Sequence, residues 1–201
     1  MTTSPLLYLA SQSPRRLQLL RQLGIEPELL LADDDEDAEA LEVQLPKEKP
    51  LHYVERVALL KWHAARQRLK SRALPLAPIL CSDTTVAIAG DILGKPESAA
   101  QATAMLKRLS GQRHEVLTAV VLGRSRPIAL TSRSWVTFRT ISASEIRGYV
   151  SSGEPMGKAG SYAIQGAAQR WISELRGSYS GVMGLPLFET DQLLQKFRIR
   201  V

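Results

Sequence analysis

Residues 6–20 read LLYLASQSPRRLQLL, a strand, a tight loop and the start of a helix in one short stretch. Leu6 to Ala10 is an apolar run ending at small residues, the pattern of a short buried strand. Ser13 is a good N-cap, and Pro14 fits the first helical position, where a missing N–H costs nothing. Leu17, Leu20 and Leu23 recur at helical spacing, and Gly24 supplies the stop. Arg15 and Arg16 then fall on the positive end of the helix dipole, where each charge is misplaced by about 0.3–1 kcal/mol. Two readings account for them. Either an anion docks on the helix N-terminus, with Ser11, Ser13 and the two guanidinium forks donating to it, or the arginines lie in solvent and pair with surface acids.

Outward from this stretch the chain mixes helices and strands. Residues 33–39 (DDDEDAE) carry six carboxylates in seven positions and, with 45–50 (LPKEKP), read as loop. Residues 51–70 have apolar positions at helical spacing. Residues 79–88 (ILCSDTTVAI) are β-rich but interrupted by SDTT, and the turn at 89–91 leads to a second short strand. A helix over 98–109, strands over 115–122 and 128–140, and a helix opened by the Ser142–Glu145 capping box follow. A loop with four glycines (153–166), a strand near 170–176, a glycine-rich loop (177–184) and a last helix from about 189 complete the chain. Helix and strand do not alternate strictly, which predicts an α/β fold with a mixed sheet in one domain over 1–201.

The bulk numbers describe an ordinary globular chain: 201 residues, 44% hydrophobic and 23% charged. No apolar run approaches the roughly 20 residues of a membrane span. Cys81 is the lone cysteine, which excludes an intrachain disulfide and suits a reducing compartment, so a cytoplasmic location is expected. The net charge is +6, with 18 arginines against 8 lysines. Arginine's planar fork suits phosphate oxygens. The basic residues are dispersed and aromatics are 5%, so no base-stacking surface for nucleic acid stands out.

Asp83 lies in an apolar β segment and must be hydrogen-bonded, paired or metal-bound there; a structural cap on a neighbouring loop satisfies that requirement too. A hairpin pairing Val86 with Leu93 brings Lys95 back beside it. Lys158 sits in the glycine loop 153–166, which matches neither the phosphate-loop nor the dinucleotide fingerprint. His52, His63 and His114 have no zinc spacing. Cationic groups, a strand carboxylate, an acidic loop and two loop lysines together are what a metal–polyphosphate site requires.

In combination, SQSPRR (11–16), SDTT (82–85), LGKP (93–96), KAGSYAIQG (158–166) and GSYSGVMGLP (177–186) resemble the Maf family of nucleoside triphosphate pyrophosphatases, in order and over residues 6 to about 195. The resemblance implies a two-lobed α/β fold around a cleft, similar to inosine triphosphate pyrophosphatases, usually a homodimer. It implies hydrolysis of a nucleoside triphosphate to the monophosphate and pyrophosphate with Mg²⁺ or Mn²⁺. It implies that Asp83 is the proton acceptor, that Ser11, Arg15, Arg16 and Lys95 handle phosphate, and that Glu36 is a metal or water ligand beside Asp83. Lys61 and Lys158 fall on family lysines, and Arg15, Thr84 and Gln165 on positions linked to base choice. The YAIQG ending resembles the branch acting on dTTP and UTP, and the glutamine amide complements the imide edge of those bases. A sister branch preferring 7-methyl-GTP carries an acidic residue there. Cys81–Ser82 departs from the usual GlyAla pair, and the unusually acidic run leaves Asp35 and Glu36 both open as the ligand. A nucleotide-binding regulator of septum formation is the alternative that needs no hydrolysis.

Overall fold

A computed structural model describes residues 6–33, 36 and 40–199. Its frame is a seven-stranded mixed sheet built from β1 (Tyr8–Leu9), β2 (Glu28–Leu29), β3 (Ile79–Ile88), β4 (Asp91–Leu93), β5 (Arg113–Gly123), β6 (Pro127–Phe138) and β7 (Ile172–Arg176). The strand order is β2-β1-β3-β5-β6-β7, with β4 added to β3. The two contacts of β1 are parallel and the others antiparallel. Helices are α1 (Pro14–Gln22), α2 (Pro50–Ser71), α3 (Ala99–Leu109), α4 (Ala143–Ser151), α5 (Tyr179–Met183) and α6 (Leu187–Lys196).

Three local expectations change. β3 is continuous through Ser82–Asp83–Thr84–Thr85, because β5 pairs every residue of the segment, Asp83 opposite Ala119 and Thr84 opposite Thr118. The glycine-rich segment 177–184 contains a short helix, α5, capped by the Ser178 hydroxyl accepting from Gly181 N–H. Ser13 occupies the N-cap of α1 in extended conformation, but its side chain makes no capping bond. The Ser142–Glu145 capping box is present in full. The β3–β4 hairpin also forms, closing Ile88 on Asp91 and Val86 on Leu93. Its two turn residues, Ala89 (φ 52°) and Gly90 (φ 88°), are both left-handed, as a turn matching the right-handed strand twist requires.

The faces of β3 and β5 alternate as strands must. Ile79, Cys81, Leu117, Ala119 and Val121 pack under α2, against Val57, Ala58, Trp62 and Ala65. The opposite face is covered by two apolar clusters at its two ends. Leu80, Val120 and Leu122 meet Leu19 and Leu20 of α1 and Leu193 and Leu194 of α6. Val86, Val116 and Phe138 meet Leu106, Tyr149 and Trp171. Between those clusters lies a polar strip, Ser82, Thr118, Ser132 and Ser134, all buried. The α5 segment satisfies three of the four: Ser82 donates to Gly184 O at 2.9 Å, Thr118 to Gly181 O at 2.8 Å and Ser134 to Ser178 O at 3.3 Å. Among the described residues, no helix is long and apolar enough to cross a membrane.

Candidate active site

The site follows from a gap in the sheet. On one side of β3, β1 pairs only with Ile79 and Leu80, and β4 starts at Val86. Residues 81–85 therefore have no strand neighbour on that side among the described residues. The chain leaves β1 at this gap, turns through residues 10–13 and enters α1. In open sheets a ligand crevice forms where strand ends diverge in this way. Here a cleft of about 640 Å³ opens over Asp83 and Thr84.

Every expected site residue in the described part lines this cleft: Ser11, Ser13, Arg15, Arg16, Glu36, Lys61, Asp83, Thr84, Lys95, Lys158 and Gln165. Asp35 lies outside the described residues. At the floor, Asp83 is only 5% exposed. Its Oδ1 accepts from Lys61 Nζ at 2.6 Å, and the same ammonium donates to Glu42 Oε1 at 2.7 Å. Lys95 approaches the other Glu42 oxygen at 2.8 Å. Asp83, Lys61, Glu42 and Lys95 thus form one alternating chain of charge. Burial pushes the Glu42 carboxyl up, but Lys61 and Lys95 outweigh it and hold the group below its ordinary range. Tyr53 O–H donates to Glu42 O at 2.9 Å and fixes the backbone of that short turn.

Glu42 was not legible in the sequence, since it follows the acidic run with no motif of its own. Glu36 also lies on the wall, yet Arg68 takes both its oxygens, at 2.7 and 2.5 Å, and donates to Leu30 O at 2.8 Å as well. That fork holds Glu36 below the ordinary carboxyl range. Arg68 was legible in principle: Lys61, Ala64 and Arg68 follow helical spacing along α2 and share the cleft face.

At the α1 end, the Arg16 Nε donates to Gly184 O at 2.8 Å and a terminal nitrogen to Ser11 Oγ at 3.3 Å. Burial lowers its pKa, and Asp83 and Glu42 oppose that effect; the guanidinium stays charged. Its charge is thereby offset across the cleft, despite its place at the wrong end of a helix. Arg15 lies close enough to Lys158 to add to the effect of burial in lowering that lysine's pKa. Lys158 Nζ is tied back to Glu154 O. The Thr84 hydroxyl lies 3.0 Å from that of Thr118 and donates to it, since the Thr118 proton goes to Gly181 O. Gln165 is exposed at the rim. Cys81, next to this machinery in sequence, is buried, and its thiol is pushed up to about 12 by desolvation; it is not a nucleophile here.

Among the described lining residues six cations (Arg15, Arg16, Lys61, Arg68, Lys95, Lys158) face three carboxylates (Glu36, Glu42, Asp83). Such an excess of positive charge around a helix N-terminus is complementary to a polyanion of triphosphate size.

The family model described as Maf-like protein matches residues 6–197. A "dTTP/UTP pyrophosphatase" of Albidiferax ferrireducens is 60% identical over 199 residues, covering 98% of this chain and 100% of that protein. One of Cupriavidus pinatubonensis bearing the same name is 60% identical over 198 residues, 96% of this chain and 98% of that protein. Among solved structures, the Ham1 protein of Staphylococcus aureus aligns over 66% of this chain and 71% of its own, with 13% identity and a TM-score of 0.43. A nucleoside-triphosphatase (dITP/XTP pyrophosphatase) of Mycobacterium abscessus aligns over 68% and 76%, with 20% identity and a TM-score of 0.43.

Proposed function

The chain belongs to the Maf-like family, and from that premise we propose that it hydrolyses dTTP and UTP to the monophosphate and pyrophosphate. The observation that carries this reading is the Asp83–Lys61–Glu42–Lys95 chain facing the cationic N-terminus of α1. Full-length relatives at 60% identity that are named for this activity support the choice of substrate.

The triphosphate docks on the α1 N-terminus, where Ser11, Ser13, Arg15 and Arg16 donate to its oxygens, with Lys95 and Lys158 closing from the other wall. Asp83 takes the proton of the water that attacks the α-phosphorus. The α–β anhydride bond breaks, and pyrophosphate leaves with its charge held by the arginines and Lys95. Lys61 holds the Asp83 carboxylate in place until substrate arrives. Gln165 and Thr84 read the base, the glutamine offering one donor and one acceptor to the imide edge of uracil or thymine.

The donor set fits a hard divalent cation. Asp83 and Glu42 present carboxylate oxygens on either side of one ammonium, and Mg²⁺ or Mn²⁺ binds through one or two carboxylates plus substrate phosphates. Among the described residues no cluster of three or more His, Cys, Asp and Glu exists, so phosphate oxygens would complete the shell. Glu36, on the same wall, is the other acidic candidate, its two oxygens held by Arg68. Such a cation, when bound, neutralises developing phosphate charge. A homodimer in the cytoplasm completes the proposal.

The test is pyrophosphate release from dTTP, UTP, CTP, purine triphosphates and 7-methyl-GTP, each with Mg²⁺ or Mn²⁺. Turnover confined to dTTP and UTP, lost in Asp83→Asn with the fold intact, is expected. Wild-type-like turnover by that variant overturns the role of Asp83, and preference for 7-methyl-GTP overturns the base reading. Nucleotide binding without any hydrolysis transfers the assignment to a regulator.

A further inference from the structure

Gln165 is exposed at the cleft rim, yet reading a base requires its backbone to be held. The hold comes from behind. Ala163 N–H donates to the Tyr149 hydroxyl at 3.4 Å, and that hydroxyl donates to Glu154 Oε1 at 3.0 Å. Two residues beyond Gln165, Ala167 N–H donates to the same Oε1 at 3.1 Å and to Oε2 at 3.3 Å. Gln165 is thus the centre of a five-residue span, 163–167, whose two ends are pinned on one tyrosine–glutamate pair. The backbone carbonyl of Glu154 also receives the Lys158 ammonium. One residue therefore sets the position of both the base-reading amide and a phosphate-binding cation.

The fit between this pair and the span is close. A Cβ built on Gly166 would lie 1.8 Å from Glu154 Oε1 and 2.7 Å from its Cδ; all three nearest atoms to that position belong to the Glu154 carboxylate. Gly166 has φ −98°, so its backbone conformation suits any residue. Glycine stands here because the carboxylate fills the space a side chain would need.

We propose that Glu154, through Tyr149, is a positioning residue for base selection, clamping residues 163–167 so that Gln165 presents its amide to the pyrimidine. This rests on the pyrimidine triphosphate reading of the site. Glu154 lies outside the charge chain on Asp83 and touches neither the reacting phosphate nor its water. Its loss therefore acts on KM and selectivity, and the chemical step is largely spared.

The experiment is a double-mutant cycle between Glu154→Ala and Gly166→Ala, with Glu154→Gln as the conservative variant, scored by kcat and KM on dTTP, UTP and CTP. In Glu154→Ala, KM for dTTP and UTP rises about tenfold, the scale of one lost hydrogen bond to a charged group, while kcat stays within about twofold and discrimination against CTP falls. Glu154→Gln restores most of the affinity, because its single carbonyl oxygen accepts from both Tyr149 O–H and Ala167 N–H. Gly166→Ala alone is as damaging as Glu154→Ala, but adds nothing in the Glu154→Ala background, where the clash is gone. Additive effects, or a fall in kcat with the CTP discrimination unchanged, overturn the proposal. Wild-type protein that turns over neither dTTP nor UTP overturns the site reading itself, a result separable from failure of the cycle. If Glu154→Ala does not fold, Glu154→Gln alone and with Gly166→Ala decides: the glutamine retains the clash, so the double variant must remain impaired.

Discussion

Replacing Lys61 by methionine tests the charge chain at its centre. The ammonium lies 2.6 Å from Asp83 and 2.7 Å from Glu42, with 19% of its side chain exposed. At an effective dielectric of about 20, each contact is worth about 6 kcal/mol of Coulomb attraction before desolvation is charged against it. Breaking a buried pair by removing one partner costs about 3–5 kcal/mol, because the other charge stays behind. Glu42 retains Lys95, which places the expected loss near the low end, about 3 kcal/mol. With a urea m-value of about 2–3 kcal/mol/M, the denaturation midpoint falls by about 1–1.5 M. The sign with pH is set by Glu42. In the wild type its pKa is lowered, so it contributes stability above its unfolded pKa, and this is lost as pH falls through the folded value. In the variant the burial effect is opposed by Lys95 alone, the pKa moves up, and protonation relieves the strain. The gap between the two proteins therefore closes from pH 7 toward pH 4, and adding Glu42→Gln to the variant restores part of the midpoint at pH 7. A midpoint at pH 7 within about 0.3 M of wild type, or a gap that does not narrow in acid, refutes the reasoning.

Two further predictions follow from buried groups near the cleft. His114 is buried with Nε2 2.9 Å from the Tyr162 hydroxyl, and desolvation pushes its pKa down to about 4; the unfolded chain binds the extra proton first, so stability falls as pH drops from about 6.5 to 4, by about 2 kcal/mol at pH 5. His114→Gln should flatten the acid limb of a pH–denaturation profile by that amount, and an unchanged limb counts against the buried neutral imidazole. Gly160 has φ 67°, and a Cβ there would sit 2.8 Å from Val86 side-chain atoms, so Gly160→Ala combines a left-handed penalty with overpacking and should cost about 2–4 kcal/mol. Denaturant titration checks this, and a loss below about 1 kcal/mol means that Val86 yields freely.

Much of the fold was readable because its signals are local. Ser13–Pro14 and Gly24 delimit α1, Ser142 and Glu145 open α4, and Ala89–Gly90 turns β3 into β4, each through interactions spanning a few residues. The polar run at 82–85 misled the strand reading for a reason outside the segment. Its backbone is satisfied by β5, and the Ser82 hydroxyl by Gly184, 102 positions away in the chain. Likewise α5 is hidden among glycines that exist to bring its carbonyls against the Thr118 and Ser134 hydroxyls.

The sequence by itself determined which chemistries were at hand: arginines at a helix start, a carboxylate within a strand, lysines in two loops. Only the tertiary structure decided who is whose partner. It set Arg68 on Glu36 and gave Glu42 the place beside Asp83, because Lys61 and Arg68, two turns apart on α2, sort the acidic side chains by reach. It also put Glu154 behind Gln165. Those pairings depend on distances between elements, and side-chain charge finds its counterpart only after the core has packed.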